Sequence, residues 1–122
     1  MQFLALLGLI SGLLGSVSCN VRALQKSTFD NFIASHDLVL VQFFDPKCPH
    51  CKKLDPIYSD ATRRLAGKDL QLVKIDCTQE VDLCKEYKIE KYPIIKLFRG
   101  LSTIDQYEGE RTAEAYLKNP WY

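Results

Sequence analysis

"FFDPKCPHCKKLDP", residues 43–56, decides how this chain is read: two cysteines with two residues between them leave an apolar segment and enter a helical one. Upstream, "LVLVQFF" at 38–44 is a near-continuous apolar run rich in β-formers, the pattern of a strand buried on both faces, with Gln42 as its polar intruder. Downstream, from Pro49 to about Ala66, residues Leu54, Ile57, Tyr58, Ala61 and Leu65 recur with helical spacing. Pro56 sits inside that pattern, where it is expected to kink the helix. Cys48 and Cys51 therefore open a helix that follows a buried strand, the context in which a Cys-x-x-Cys spacing signals redox work.

The chemistry follows from that placement. Unpaired backbone N–H groups and the helix dipole favour an anion at a helix N-terminus, which makes Cys48 the expected nucleophile. Cys51, about one turn further in, is near enough to bridge to Cys48 and more buried, as suits a resolving thiol. His50, between them, is placed to donate to the Cys48 sulfur or to set positive charge beside it; its alternative is an exposed loop imidazole. A zinc site would need two further ligands, offered only by Cys77, Cys84 or His36, and ranks well behind redox chemistry. Neither a metal nor an organic cofactor is expected.

Further out, strands and helices alternate. "VRAL" at 21–24 reads as a short strand, followed by a helix capped by Ser27 or Thr28 that carries Phe29, Phe32 and Ile33 on one face and ends near His36. A strand at 70–76, a short helix around 80–87 and a strand at 93–99 come next. Gly100 allows a tight turn into an alternating hairpin partner, "STIDQYE", and Thr112 caps a last helix that Pro120 cuts short. With no internal repeat or composition break, this alternation predicts one α/β domain, a sheet covered by helices.

Composition narrows the classes. The chain has 122 residues, 47% hydrophobic and 25% charged, which is ordinary globular usage and excludes disordered and fibrous classes. Its 16 basic and 15 acidic residues leave a net charge of +1 without a block of like charge, so nucleic acid is not an expected partner and no anionic membrane surface is coated. Residues 3–15, "FLALLGLISGLLG", lead into small residues, which predicts a secretory signal over 1–18 and a folded domain over 21–122. Two alternatives stay open: an uncleaved anchor, because no Lys or Arg precedes the apolar run, and lipidation at Cys19, against which Ser16 occupies an aliphatic site. Export agrees with the cysteines, because thiol pairs cycle or stay bridged in an oxidising compartment.

Three segments carry a resemblance: "VLVQFFDPKCPHCKKLDPIY", "VKIDCTQEVDLCKEYKIEKYPIIKLFRG" and "YEGERTAEAYL". Over about residues 21–117 the chain resembles a catalytic domain of the protein disulfide isomerase family. The resemblance implies a thioredoxin fold, a central mixed β-sheet flanked by helices, here with the C-terminal helix shortened. It implies thiol–disulfide exchange on cysteine-containing unfolded or folding secretory proteins, with a recycling partner such as glutathione or an oxidase. It points to the endoplasmic reticulum lumen, with secretion also open because the chain ends "KNPWY" and not in a KDEL-type signal. The shortened last helix also fits a piece of machinery that once had several domains.

The same resemblance assigns further residues. Tyr92-Pro93 matches the family's cis-proline, which faces the cysteines and shapes the groove for an extended substrate segment. Arg111 matches an arginine that tunes the second cysteine; its plainer reading is a surface residue at a helix start. Lys74 matches a buried lysine paired with a carboxylate on the neighbouring strand, but that position is here Gln42, which cannot titrate. Loss of that acid predicts slow deprotonation of Cys51 and long-lived mixed disulfides, with Asp45 as a substitute acid.

Lys47 stands where the family carries tryptophan, which removes an apolar platform and adds a cation. Pro49 stands where it carries glycine, as in the strongly oxidising DsbA centre. Cys77 and Cys84, seven apart, are expected to form a structural disulfide in preference to packing as free thiols. The competing class is a low-turnover thioredoxin-like module that traps clients, motivated by Gln42 and Lys47.

Overall fold

Two strands rich in buried apolar residues, LVLVQFF and LQLVKID, form the centre of the sheet. The computed structural model describes residues 21–65 and 67–118. Its elements run β1 (Arg22–Ala23), α1 (Lys26–Ala34), β2 (Leu38–Phe44), α2 (Pro49–Arg64), β3 (Leu70–Asp76), α3 (Val81–Glu86), β4 (Ile94–Arg99), β5 (Thr103–Gln106) and α4 (Ala113–Leu117). The strand order is β1-β3-β2-β4-β5. β3 is parallel to both β1 and β2, while β4 is antiparallel to β2 and to β5. This is a mixed sheet, and its parallel pairs require the crossover helices α1 and α2.

Period-2 alternation divides the core. Leu38 and Leu40 of β2 and Leu70 and Leu72 of β3 join Leu54, Tyr58 and Ala61 of α2 and Tyr116 of α4 on one face. Val39, Val41, Phe43, Val73 and Ile75 point the other way, onto Phe29 and Ile33 of α1 and Leu83 of α3. β2 is covered on both faces, which is why it reads as a near-continuous hydrophobic segment, while β3 contributes apolar residues to both faces but keeps Gln71, Lys74 and Asp76 partly exposed. α2 is fastened to β2 by the Tyr58 hydroxyl, which donates to the Leu40 carbonyl at 2.9 Å, and its ring meets Tyr116 edge-on at 5.7 Å. These contacts set the depth of the helix whose first turn carries the cysteines.

Some boundaries differ from the sequence expectation. The cap of α1 is Gln25, with Thr28 in the third helical position bonding back to the Gln25 backbone, so neither Ser27 nor Thr28 is the cap. α2 continues through Pro56 to Arg64. Gly100, at φ 73°, makes the β4–β5 turn, and Thr112 caps α4 by accepting from the Ala115 N–H at 3.0 Å. The segment read as a signal, residues 1–18, together with Cys19, Ala66 and Pro120, lies outside the described residues. Among the described residues no helix is long and apolar enough to cross a membrane.

Cys77, just after β3, is bonded to Cys84 in α3, with Cα atoms 5.7 Å apart. Bonded to each other, neither offers a thiolate to a metal. Closing so short a loop restricts the unfolded chain by about 2 kcal/mol on loop-entropy scaling. The double variant Cys77→Ala, Cys84→Ala should therefore lose about 2 kcal/mol of unfolding free energy in urea without a change of fold, as read by circular dichroism. An unchanged urea midpoint would contradict this.

Candidate active site

The turn after β2 is built by one aspartate. The Asp45 carbonyl accepts from the Cys48 N–H at 3.0 Å, and its Oδ1 accepts from the Lys47 N–H at 2.8 Å. Pro49 then occupies the first helical position, where a missing N–H costs nothing, and Cys48 becomes the N-cap residue of α2. Its sulfur accepts from the Cys51 N–H at 3.2 Å, so the thiol takes the place a serine or aspartate oxygen takes at other helix starts. Both cysteines are free, Cys48 half-buried and Cys51 only 3% exposed.

The sheet register delivers the second wall. Because β4 runs antiparallel to β2 with Ile94 opposite Phe43, the residues preceding β4 arrive beside the turn that follows β2. Those residues are Tyr92 and Pro93, joined by a cis peptide bond. The Tyr92 carbonyl lies 3.6 Å from the Cys48 sulfur and accepts from its thiol. A cleft of about 390 Å³ opens beside Pro93, with His50, Arg111, Lys91 and Glu108 on its walls. His50 makes no hydrogen bond to Cys48; it is an exposed ring on the cleft wall.

The two thiols are unequally buried. Burial pushes the Cys51 thiol up to about 12. Its hydrogen bond with Cys48 adds to the rise, a backbone hydrogen bond from Asp45 opposes it, and the charges of Cys48 and Asp45 add smaller upward contributions. Arg111 is not brought to Cys51: its Nη2 donates to the Pro93 carbonyl at 3.4 Å. In this arrangement the arginine braces the cis-proline loop.

Beneath α2 the polar residues are rearranged relative to the sequence expectation. Gln42 shares the sheet face of Leu38 and Leu40, is fully buried, and finds no hydrogen-bond partner for either amide atom among the described residues. Lys74 lies directly across from it in register. The lysine's carboxylate is not on the neighbouring strand: Nζ reaches Asp55 Oδ1 of α2 at 3.9 Å and lies over the Phe44 ring. Sequence reading missed Asp55. Its signal was its spacing, four residues after Cys51 and hence on the same helical face.

Comparison with known proteins agrees with this geometry. The thioredoxin family model matches residues 20–119. The chain belongs to the thioredoxin family. This thioredoxin-family domain is 46% identical over 109 residues to protein disulfide-isomerase of Humicola insolens, covering 89% of this chain and 22% of that protein. It is 50% identical over 98 residues to protein disulfide-isomerase of Arthroderma benhamiae, covering 80% and 19%. The chain thus spans about a fifth of the length of these relatives. The first thioredoxin domain of mouse protein disulfide-isomerase A4 superposes with a TM-score of 0.72 at 31% identity, covering 92% of this chain and 89% of that one.

The raised Cys51 thiol yields a direct expectation. In a Cys48→Ser variant, iodoacetamide should label Cys51 slowly at neutral pH, with a rate still climbing close to tenfold per pH unit at about pH 10, because the reactive thiolate remains a minor species. A rate that levels off by about pH 9 would show an ordinary thiol.

Proposed function

We propose that this domain is a thiol–disulfide oxidoreductase acting on cysteine-containing secretory proteins, with Cys48 as nucleophile and Cys51 as resolving thiol. One observation carries the reading: a half-buried sulfur at a helix N-cap, held by the Cys51 N–H and facing the Tyr92 carbonyl, with a buried second thiol one turn behind it. The relatives named disulfide isomerases support the same reaction. The apolar N-terminal segment and that family's company favour a signal over 1–18, a domain over 21–122 and work in the lumen of the endoplasmic reticulum.

As an oxidant the domain starts with Cys48 and Cys51 bridged. A client thiolate attacks the Cys48 sulfur; the intramolecular S–S bond breaks, and Cys51 leaves with the electron pair and takes up a proton. A second client thiolate then attacks the client sulfur of the mixed disulfide, and Cys48 leaves as a thiolate that the Cys51 N–H and the helix N-terminus stabilise. The client has lost two electrons and the domain holds them as a dithiol, which glutathione disulfide or an oxidase re-bridges. When the second client thiol is out of reach, Cys51 must lose its proton and attack Cys48 to free the client. Through all steps Pro93 and Tyr92 present an extended client segment, with His50 and Lys47 beside the nucleophile, and Pro49 fixes the helix start.

A second reading, a low-turnover trap, draws on that last step. The escape thiol is held protonated by burial, and β2 carries the non-titrating Gln42 at the position where the family resemblance puts a proton-relaying acid. Multiple-turnover oxidation of a reduced dithiol peptide in a glutathione buffer separates the two: the wild-type domain should turn over and Cys48→Ser should lose at least about a hundredfold. Single-turnover stoichiometry would favour the trap. Gln42→Glu should shorten the life of the mixed disulfide severalfold by giving Cys51 a proton acceptor; an unchanged or longer lifetime would remove Gln42 from the mechanism.

A further inference from the structure

The cleft beside Pro93 does not end at the active site. A second hollow of about 330 Å³ shares Lys91, Ile94 and Gln106 with it, so the two adjoin at the start of β4 and together make one trough. The trough is charged: Lys88, Lys91, Lys96 and Arg111 line it against Glu90 and Glu108, a net +2 in a chain whose total is +1. None of these four cations is in an ion pair with a described residue, although Asp60, Arg63, Arg64 and Glu114 pair freely on the surface of α2 and α4. Lys47, also exposed, adds a cation next to Cys48.

A surplus of two positive charges lining a hollow raises the local concentration of an anionic segment and slows its departure. We propose that the trough selects client segments with carboxylate side chains near the reactive cysteine, so that this domain prefers acidic over neutral and basic surroundings. The inference rests on the oxidoreductase reading and names its substrate class. It also gives Lys47 a purpose, because a cation there extends the same field to the nucleophile.

The test uses three reduced dithiol peptides of equal length whose cysteines are flanked by Asp and Glu, by Asn and Gln, or by Lys. At low ionic strength kcat/KM for the acidic peptide should exceed that for the basic one by about tenfold, and the ratio should fall to about twofold or less in about 0.5 M salt. Lys91→Glu with Lys96→Glu should invert the order. The peptide ratio within each protein is the readout, so a general loss of activity does not mimic the effect, and the wild-type salt series decides if the double variant fails to fold. Equal rates for all three peptides at low salt would overturn the trough proposal while leaving the oxidoreductase reading intact. Failure to turn over any of them would overturn the oxidoreductase reading itself.

Discussion

The hydrogen bond from the Cys51 backbone N–H to the Cys48 sulfur, 3.2 Å long at the start of α2, is the interaction on which the rest of the site depends. It exists only because the chain turns sharply after β2, and the turn holds because Asp45 serves the N–H groups of both Lys47 and Cys48. The same turn makes the pair unequal. One sulfur is left at the helix mouth, accepting from the Cys51 N–H, while the other is drawn under the helix, where charge is costly. A single strand-to-helix junction thus yields one accessible thiol and one buried thiol.

The antiparallel strand β4 contributes what the junction lacks. Had it been parallel to β2, its start would lie at the far end of the sheet; running the other way, it delivers Tyr92 and Pro93 to the sulfur and opens the cleft. Arg111, from the loop before α4, then closes on the Pro93 carbonyl, so that three separate segments converge on one wall. Below them the balance of charge has shifted from strand to helix. Gln42 is a buried amide with no hydrogen-bond partner among the described residues, and the lysine beside it reaches sideways to a half-exposed Asp55. A lone ion pair of that length at partial exposure adds little stability; its consequence is that the carboxylate stands on α2, off the strand that carries Gln42.

What was legible in the sequence was whatever a short window contains. β2 declared itself because burial on both faces leaves almost no room for polar residues, β3 because Leu70, Leu72, Val73 and Ile75 still mark it as apolar, and Cys48 and Cys51 because their spacing is itself one helical turn. The mixed sheet and its helices followed from that alternation and from the resemblance. Gln25 escaped as the cap of α1 because a glutamine is an uncommon cap and Thr28, three residues on, carries the more familiar signal. Asp55 became visible only once the phase of α2 was set against the register of β3. The basic trough was illegible for a stronger reason: Lys91, Gln106 and Arg111 meet through the β4–β5 hairpin and the approach to α4, and no local pattern encodes that meeting.

The division of labour between the two sulfurs is the centre of this account, and a trapping experiment addresses it most directly. Bridged client peptide is mixed with the reduced Cys51→Ser variant and, separately, with the reduced Cys48→Ser variant, and the covalent adducts are mapped by mass spectrometry. The account predicts a stable mixed disulfide at Cys48 in the first and little or no adduct in the second at neutral pH, because burial keeps the remaining thiol protonated and out of reach. A Cys51 adduct forming as readily as the Cys48 one would contradict it.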